Sequence, residues 1–250
     1  MRSFSTAIRN SVVGFALFVA AWAAAAPFFP AYVLPSPVAV AGNLGSYVDG
    51  AFLGHLAVTL YRVSAGFAVA FVLGTAAGLA AFVMRKTQHL NTLMMALQVV
   101  PGTILGIVFL LVFGVGDYTP IALVAFLTLP IIAVNTVNAL GGRSEQLEGY
   151  LLASGGSRAH LVRYLYLPTL VPAAQSNLTI GFGMALKIAI LGEFIGAQSG
   201  IGYLLNVARV YFKMEEVFFY LLTVLLVTVC FQAAQSGFFA VFLEKYFFGE

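Results

Sequence analysis

The side chains that could ligate a metal are few: His55, His89, His160, nine carboxylates and the single cysteine, Cys230. The histidines lie far apart, and no His-Glu-x-x-His run joins any two of them. No Gly-Lys-Ser/Thr follows a glycine-rich turn, so nothing cradles a nucleotide phosphate. Gly-x-Ser-x-Gly, the strand-to-helix nucleophile turn, is missing as well. One thiol makes no internal disulfide and no multi-cysteine metal site, and Cys230 reads as a small core residue in an apolar run. The chain is therefore not expected to be an enzyme, and no cofactor or metal is expected. The remaining candidates are charges set in apolar surroundings: Arg62, Lys187 and Glu193. Such charges need a partner or an aqueous path. Lys187 and Glu193 lie about 9 Å apart along a helix axis and about 120° apart around it, so they do not make a direct pair on one straight helix. Lys187 either faces a pathway and meets an anion, pairs across a symmetry axis, or snorkels to an interface. For Arg62, pairing inside a helix bundle is weighed above a direct functional role. Met184 stands on the same apolar run as Lys187 and joins it, Arg62 and Glu193 as the pathway candidates.

The elements that hold these residues must sit in an apolar solvent. Of 250 residues, 61% are hydrophobic and 8% charged, against about 45–50% and about 25% in soluble domains. Disorder is excluded by the same numbers. A net charge of +3, with no basic run longer than Arg85-Lys86, excludes a nucleic-acid footprint. Crossing a bilayer takes about 20 apolar residues per helix. Six runs qualify, near 11–32, 56–84, 90–113, 120–140, 172–195 and 217–243. They lack the strict alternation of a membrane barrel. The fold class expected is all-α, a polytopic helical bundle of about six spans, with the whole of 1–250 forming one transmembrane domain. Within the run near 11–32, the apolar stretch that follows Arg2 and Arg9 ends in four alanines, 23–26, and competes with a cleavable signal peptide; the run is kept as a span. Pro101 and Pro130 fall inside spans and predict kinks. Glycine pairs four apart, at 74 and 78, 102 and 106, and 192 and 196, predict close helix contacts.

Basic residues set the orientation. With the N-terminus inside, Arg2, Arg9, Arg85, Lys86, Arg143, Arg158, Arg163 and Lys245 face the cytoplasm, and Arg209 and Lys213 face out. Both termini then lie in the cytoplasm. Two stretches outside the spans are long, the outer 34–55 and the cytoplasmic 141–168, and long loops usually have work to do.

The cytoplasmic stretch holds SEQLEGYLLASGGSRAHLVRYLYLPTLVP, residues 144–172. Leu147, Tyr150 and Leu151 recur at helical spacing, Gly155-Gly156 breaks the run, and Ser157 suits an N-cap. Leu161, Tyr164 and Leu165 give a second apolar face. Pro168 is expected to end that helix and Pro172 to start the next span. Two short helices and a turn would suit either a soluble partner or lipid headgroups.

This loop resembles the coupling motif of permease subunits of ATP-binding-cassette (ABC) importers, which reads Glu-Ala-Ala, three residues, Gly, nine residues, Ile, one residue, Leu-Pro. Gly155 takes the glycine, Leu165 the isoleucine and Leu167-Pro168 the closing pair. Gly149-Tyr150-Leu151 stand in place of Glu-Ala-Ala, with Glu148 one residue early and Glu145 four early. Further pieces resemble the nitrate/sulfonate/taurine-type branch: Leu34-Pro35-Ser36-Pro37, Leu60-Tyr61-Arg62-Val63 with Gly66-Phe67, Phe113-Gly114-Val115-Gly116, Gly192-Glu193, and 199–205. Arg62 and Glu193 match family positions; Lys187 replaces an apolar residue usual there. The resemblance implies a type I importer fold and a permease subunit of the bacterial inner membrane. It implies a homodimer around the pathway, two cytoplasmic ATP-binding subunits that hydrolyse the ATP, and an extracytoplasmic solute-binding protein. It assigns ATPase coupling to Glu145, Glu148, Gly149, Ser154, Gly155, Gly156, Ser157 and Arg158 within 144–168. The solute implied is small; that branch carries anions and organic acids but also pyrimidine-type precursors, and Lys187 favours an anion. The alternatives are a secondary transporter, which predicts inverted repeats and broken helices at matching positions, and a membrane scaffold that transports nothing.

Overall fold

The computed structural model describes the backbone of residues 2–242 and the side chains of residues 13–239. The side chains of Arg2 and Arg9, the end of the sixth expected span at Leu243, and Lys245 lie outside the described residues. Every regular element described is helical.

Helix α1 covers Arg2–Ala25 and ends in a 3-10 turn, Ala26–Phe28. The outer stretch then folds into two short helices, α2 (Pro37–Gly42) and α3 (Leu44–Tyr47). Ser36 caps α2 by accepting from Ala39 N–H at 3.2 Å, and Pro37 takes the first helical position, where its missing N–H is not needed. Helix α4 covers Gly50–Val83, 34 residues or about 51 Å at 1.5 Å each. It therefore projects beyond a hydrocarbon layer of about 30 Å. Asp49 caps it, accepting from Phe52 N–H at 2.7 Å.

The expected third span is not one helix. α5 (Thr87–Gln98) and α6 (Gly102–Phe113) meet at 84°. The break, sharper than the kink expected, sits at Val99-Val100-Pro101. Proline disfavours helical geometry at the residue before it and donates no hydrogen bond. Pro101, at φ −59° and ψ 130°, starts a new helix instead. At Pro130 the outcome differs: α7 (Tyr118–Gly141) continues through it.

Beyond the loop, α8 (Glu145–Ala153) and α9 (Arg158–Leu161) form the two expected short helices. Pro168 does not end the second, and Pro172 does not start the next span but lies inside the helix that follows. The chain passes through a π-helical segment, Val162–Tyr166, directly into α10 (Leu167–Gly196), making 39 continuous helical residues. A π turn widens the helix at the point where the proline ring would meet a preceding carbonyl. α11 (Ile201–Val210) lies beyond α10, and α12 (Met214–Phe242) closes the described chain. Four continuous helical runs, 50–83, 118–141, 158–196 and 214–239, are long and apolar enough to span, and the bent pair makes a fifth.

The core is α4, α7 and α10. Backbones approach closely because glycine faces them. A Cβ at Gly74 would lie 2.9 Å from Leu129 O, at Gly78 2.8 Å from Thr136 Cβ, and at Gly192 2.8 Å from Pro120 Cα. Gly106 and Gly196 admit Ile195 and Leu110 in the same way, so all three expected glycine pairs lie at helix contacts. Val63, Phe67, Val124, Ile132, Phe182 and Leu186 fill the centre. Amide pairs cross the helices: Asn135 Nδ2 donates to Asn177 Oδ1 at 2.7 Å, and Gln235 Nε2 donates to Gln175 O at 2.8 Å. Trp22 anchors α1, stacking on Phe218 and donating its indole N–H to Pro35 O at 2.8 Å. Cys230 is exposed on α12 rather than in the core, because that helix gives the bundle only one face.

Candidate functional site

Three groups of candidate residues emerge at different levels of the bundle. The first is at the end that carries α11. Arg62 of α4, 1% exposed, uses all five N–H donors. Nε and Nη2 donate to Asp117 Oδ1 at 2.9 and 2.6 Å. Nη1 donates to Glu193 Oε1 at 2.9 Å and Ser199 O at 2.7 Å, and Nη2 also reaches Ser199 Oγ at 2.9 Å. Glu193 accepts in turn from Thr59 Oγ1 at 2.9 Å and Gly202 N–H at 2.9 Å. Ile201 N–H donates to Thr59 Oγ1 at 2.8 Å, and Gly200 N–H donates to His55 Nδ1 at 2.9 Å. Gly200 sits at φ +103°, and a Cβ there would overlap the Glu193 carboxylate. A buried charge holds its place when every lone pair and proton is matched, as here. The knot ties α4, the α6–α7 turn, α10 and the segment leading into α11. It brings together Arg62 and Glu193. Asp117, Thr59, Ser199 and His55 were missed in the sequence; Asp117 and Ser199 each adjoin a glycine turn, which was the available signal.

The second group is on the exposed face of α10. Lys187 and Met184 are both exposed, Met184 at 38%. Among the described residues Lys187 has no hydrogen-bond or ion-pair partner. It stands on a different face from the buried Glu193, in keeping with a helical rotation of about 120° between them.

The third group is the 144–168 loop. Ser144 caps α8, accepting from Leu147 N–H at 3.2 Å. At its other end Gly156 N–H donates to Leu151 O at 2.8 Å and Gly155 N–H to Leu152 O at 3.1 Å. This paired closure needs a left-handed residue, and Gly155 supplies it at φ +78°. Gly156 cannot carry a side chain: its Cβ would lie 2.5 Å from Leu151 O. Ser157 begins α9, its N–H donating to His160 Nδ1 at 3.1 Å. Glu148 is engaged inside the chain. It accepts from Arg143 Nε at 2.7 Å and from Tyr166 Oη at 2.9 Å, while the Arg143 guanidinium lies 4.8 Å over the Phe82 ring. Glu145, Gly149, Ser154, Gly155, Ser157 and Arg158 are exposed, and Gly156 is half-buried. The apolar side chains Tyr150, Leu152, Val162 and Tyr164 are exposed as well. The loop is thus a fixed knob with an uncovered apolar surface.

Residues 66–240 match the family model described as binding-protein-dependent transport system inner membrane component. The chain belongs to that family. It is 31% identical to the formylaminopyrimidine transport permease of Halalkalibacterium halodurans over 173 residues, 69% of each chain. It is 29% identical to the riboflavin transport permease of Chloroflexus aurantiacus over 203 residues, 80% of this chain and 76% of that one. The taurine transport permease of Escherichia coli is 26% identical over 192 residues, 75% of this chain and 68% of the relative. An inward-facing structure of the MetNI methionine ABC transporter superposes with a TM-score of 0.65 at 18% identity, covering 76% of this chain and 94% of the matched one. The fold is that of a type I ABC importer permease, as the resemblance implied. This family member is a membrane-embedded transport component.

Proposed function

We propose that this permease forms, as a homodimer, the pathway of an ATP-driven importer in a bacterial inner membrane. Residues 1–250 act as one transmembrane domain with both termini cytoplasmic. Two ATP-binding subunits dock on the 144–168 loop and hydrolyse the ATP, and an extracytoplasmic binding protein delivers the solute. The observation that carries this reading is the knob: two short helices closed by Gly155-Gly156 and held at their root by Arg143, Glu148 and Tyr166. A docking element must be rigid to transmit a shift and exposed to receive a partner. Glu145, Ser154, Ser157 and Arg158 provide the polar surface around Tyr150 and Leu152. With Glu148 held internally, Glu145 is the acidic side chain free to meet an ATPase, and Gly149 leaves open space beside it.

The solute is a small anion or organic acid. The unpaired Lys187 cation beside Met184, on an uncovered face of a spanning helix, supports this. Arg62 and Glu193 act at one remove, by fixing the outer end of α10. The α5–α6 break invites a secondary-transporter reading, but that mechanism calls for a matching break in a second half. Among the described residues only one bent pair occurs.

Crosslinking tests the dock. In a Cys230→Ser background, Tyr150→Cys is expected to crosslink to an ATPase subunit, and absence of any such adduct in an active complex would overturn the assignment. Lys187→Met tests the pathway: transport and solute-stimulated ATP hydrolysis both fall. Unchanged values for both remove Lys187 from it.

A further inference from the structure

A cavity of about 510 Å³ opens at the end of the bundle that carries the knob. Its lining is Phe82, Arg85, Thr87, Asn91, Val137, Asn138, Gly141 and Arg143. Two arginines and no carboxylate face it. Arg143 uses Nε on Glu148 and Nη1 on Leu140 O. The Arg85 guanidinium has no partner among the described residues. Arg85 holds a left-handed backbone, φ +55°, where α4 closes through Lys86 N–H on Ala81 O at 2.8 Å. Glycine would take that position without strain. Arginine there places a cation at the cavity mouth.

Two further observations point to an anion. Thr87 is the first residue of the twelve-residue α5, whose N-terminus has no side-chain cap. Its leading N–H groups and the positive end of its dipole attract negative charge. Asn91, one turn on, has a side-chain oxygen that is buried without a hydrogen-bond partner. Buried amides are ordinarily satisfied. Turned about its last torsion, this amide presents two N–H donors instead. Guanidinium groups, an open helix N-terminus and amide donors together match the tetrahedral oxygens of phosphate.

We propose that this cavity binds a phosphate-bearing anion, drawn from a lipid headgroup or from solution. The site is separate from the pathway candidates and holds whichever way the chain crosses the membrane. Because Arg143 both lines the cavity and orients Glu148, the ligand sits at the root of the knob.

The test is a pair of calorimetric titrations on the delipidated, full-length permease in the complex in which it purifies. One titrant is phosphatidylglycerol, with diacylglycerol as the phosphate-free control, and the other is inorganic phosphate. Saturable binding by phosphatidylglycerol and not diacylglycerol assigns the headgroup; saturation by inorganic phosphate assigns a soluble ligand. In either case Arg85→Gln weakens binding about tenfold, the loss expected of one charge-assisted hydrogen bond. Asn91→Leu weakens it as well. Arg85 makes no internal contact that folding needs, and an unchanged Tm confirms that the variant is folded. Failure of both titrants to saturate, or equal binding by folded Arg85→Gln, overturns the proposal.

Discussion

Arg62 makes five hydrogen bonds at one end of a membrane bundle, and its loss is costly in a particular way. Arg62→Met leaves the Glu193 carboxylate buried without its cation. Breaking one side of a buried pair costs about 3–5 kcal/mol, so a large fall in Tm is expected in detergent. An unchanged Tm would show that the knot is not structural. Replacing both partners with apolar residues, Arg62→Met with Glu193→Leu, recovers much of that loss, because no charge is then stranded. Glu148→Gln belongs to the same scale. It removes the charge that holds Arg143 and Tyr166, and faster hydrogen exchange over 144–157 is the expected readout. The sequence displayed Arg62 and Glu193 as charges in apolar runs. It could not display their pairing, since they are 131 residues apart and joined only by the packing of α4 on α10. Asp117 and Ser199, beside glycine turns, and Thr59, inside α4, were missed for the same reason: short polar residues carry no spacing that names a partner.

At the scale of elements, five of the six expected spans followed from hydrophobic runs, the first reaching only a shorter apolar helix over Val13–Phe28 among the described residues, and the other errors fall at proline. Pro101 breaks where a kink was expected, Pro168 is absorbed by a π turn where an end was expected, and Pro172 lies inside α10 where a start was expected; Pro130 lies inside α7, within a span as expected. Proline removes a donor in every case, while the local route by which the backbone recovers is set by tertiary contacts. The α5–α6 break is a testable feature. Pro101→Ala lets the pair straighten, and spin labels at positions 93 and 111 are expected to move apart; an unchanged distance would place the cause of the bend elsewhere. The knob turn was legible, because two glycines after an amphipathic run signal a left-handed closure. Gly155→Ala forces a side chain into that conformation at a cost of about 1–2 kcal/mol. It is expected to weaken ATPase association more than it lowers the Tm of the isolated permease.

For the whole molecule, the composition established the membrane, and glycine pairs showed where helices touch. The bundle leaves one face of α10 uncovered, which is the surface the proposed second protomer and pathway would use. Charge placement is the ground for the proposed orientation. In a Cys230→Ser background, Tyr150→Cys is expected to react with an impermeant thiol reagent only from the cytoplasmic side, and Tyr211→Cys only from outside. The reverse pattern would invert the proposed topology and detach the knob from any cytoplasmic ATPase. Docking through that knob is the central claim, and co-purification tests it most directly. The chain is expected to co-purify with its ATPase subunits as a stable complex, and residues inserted at Gly156 are expected to abolish that complex while the permease stays folded. A complex that survives the insertion intact, or no complex with any candidate ATPase, would contradict the account.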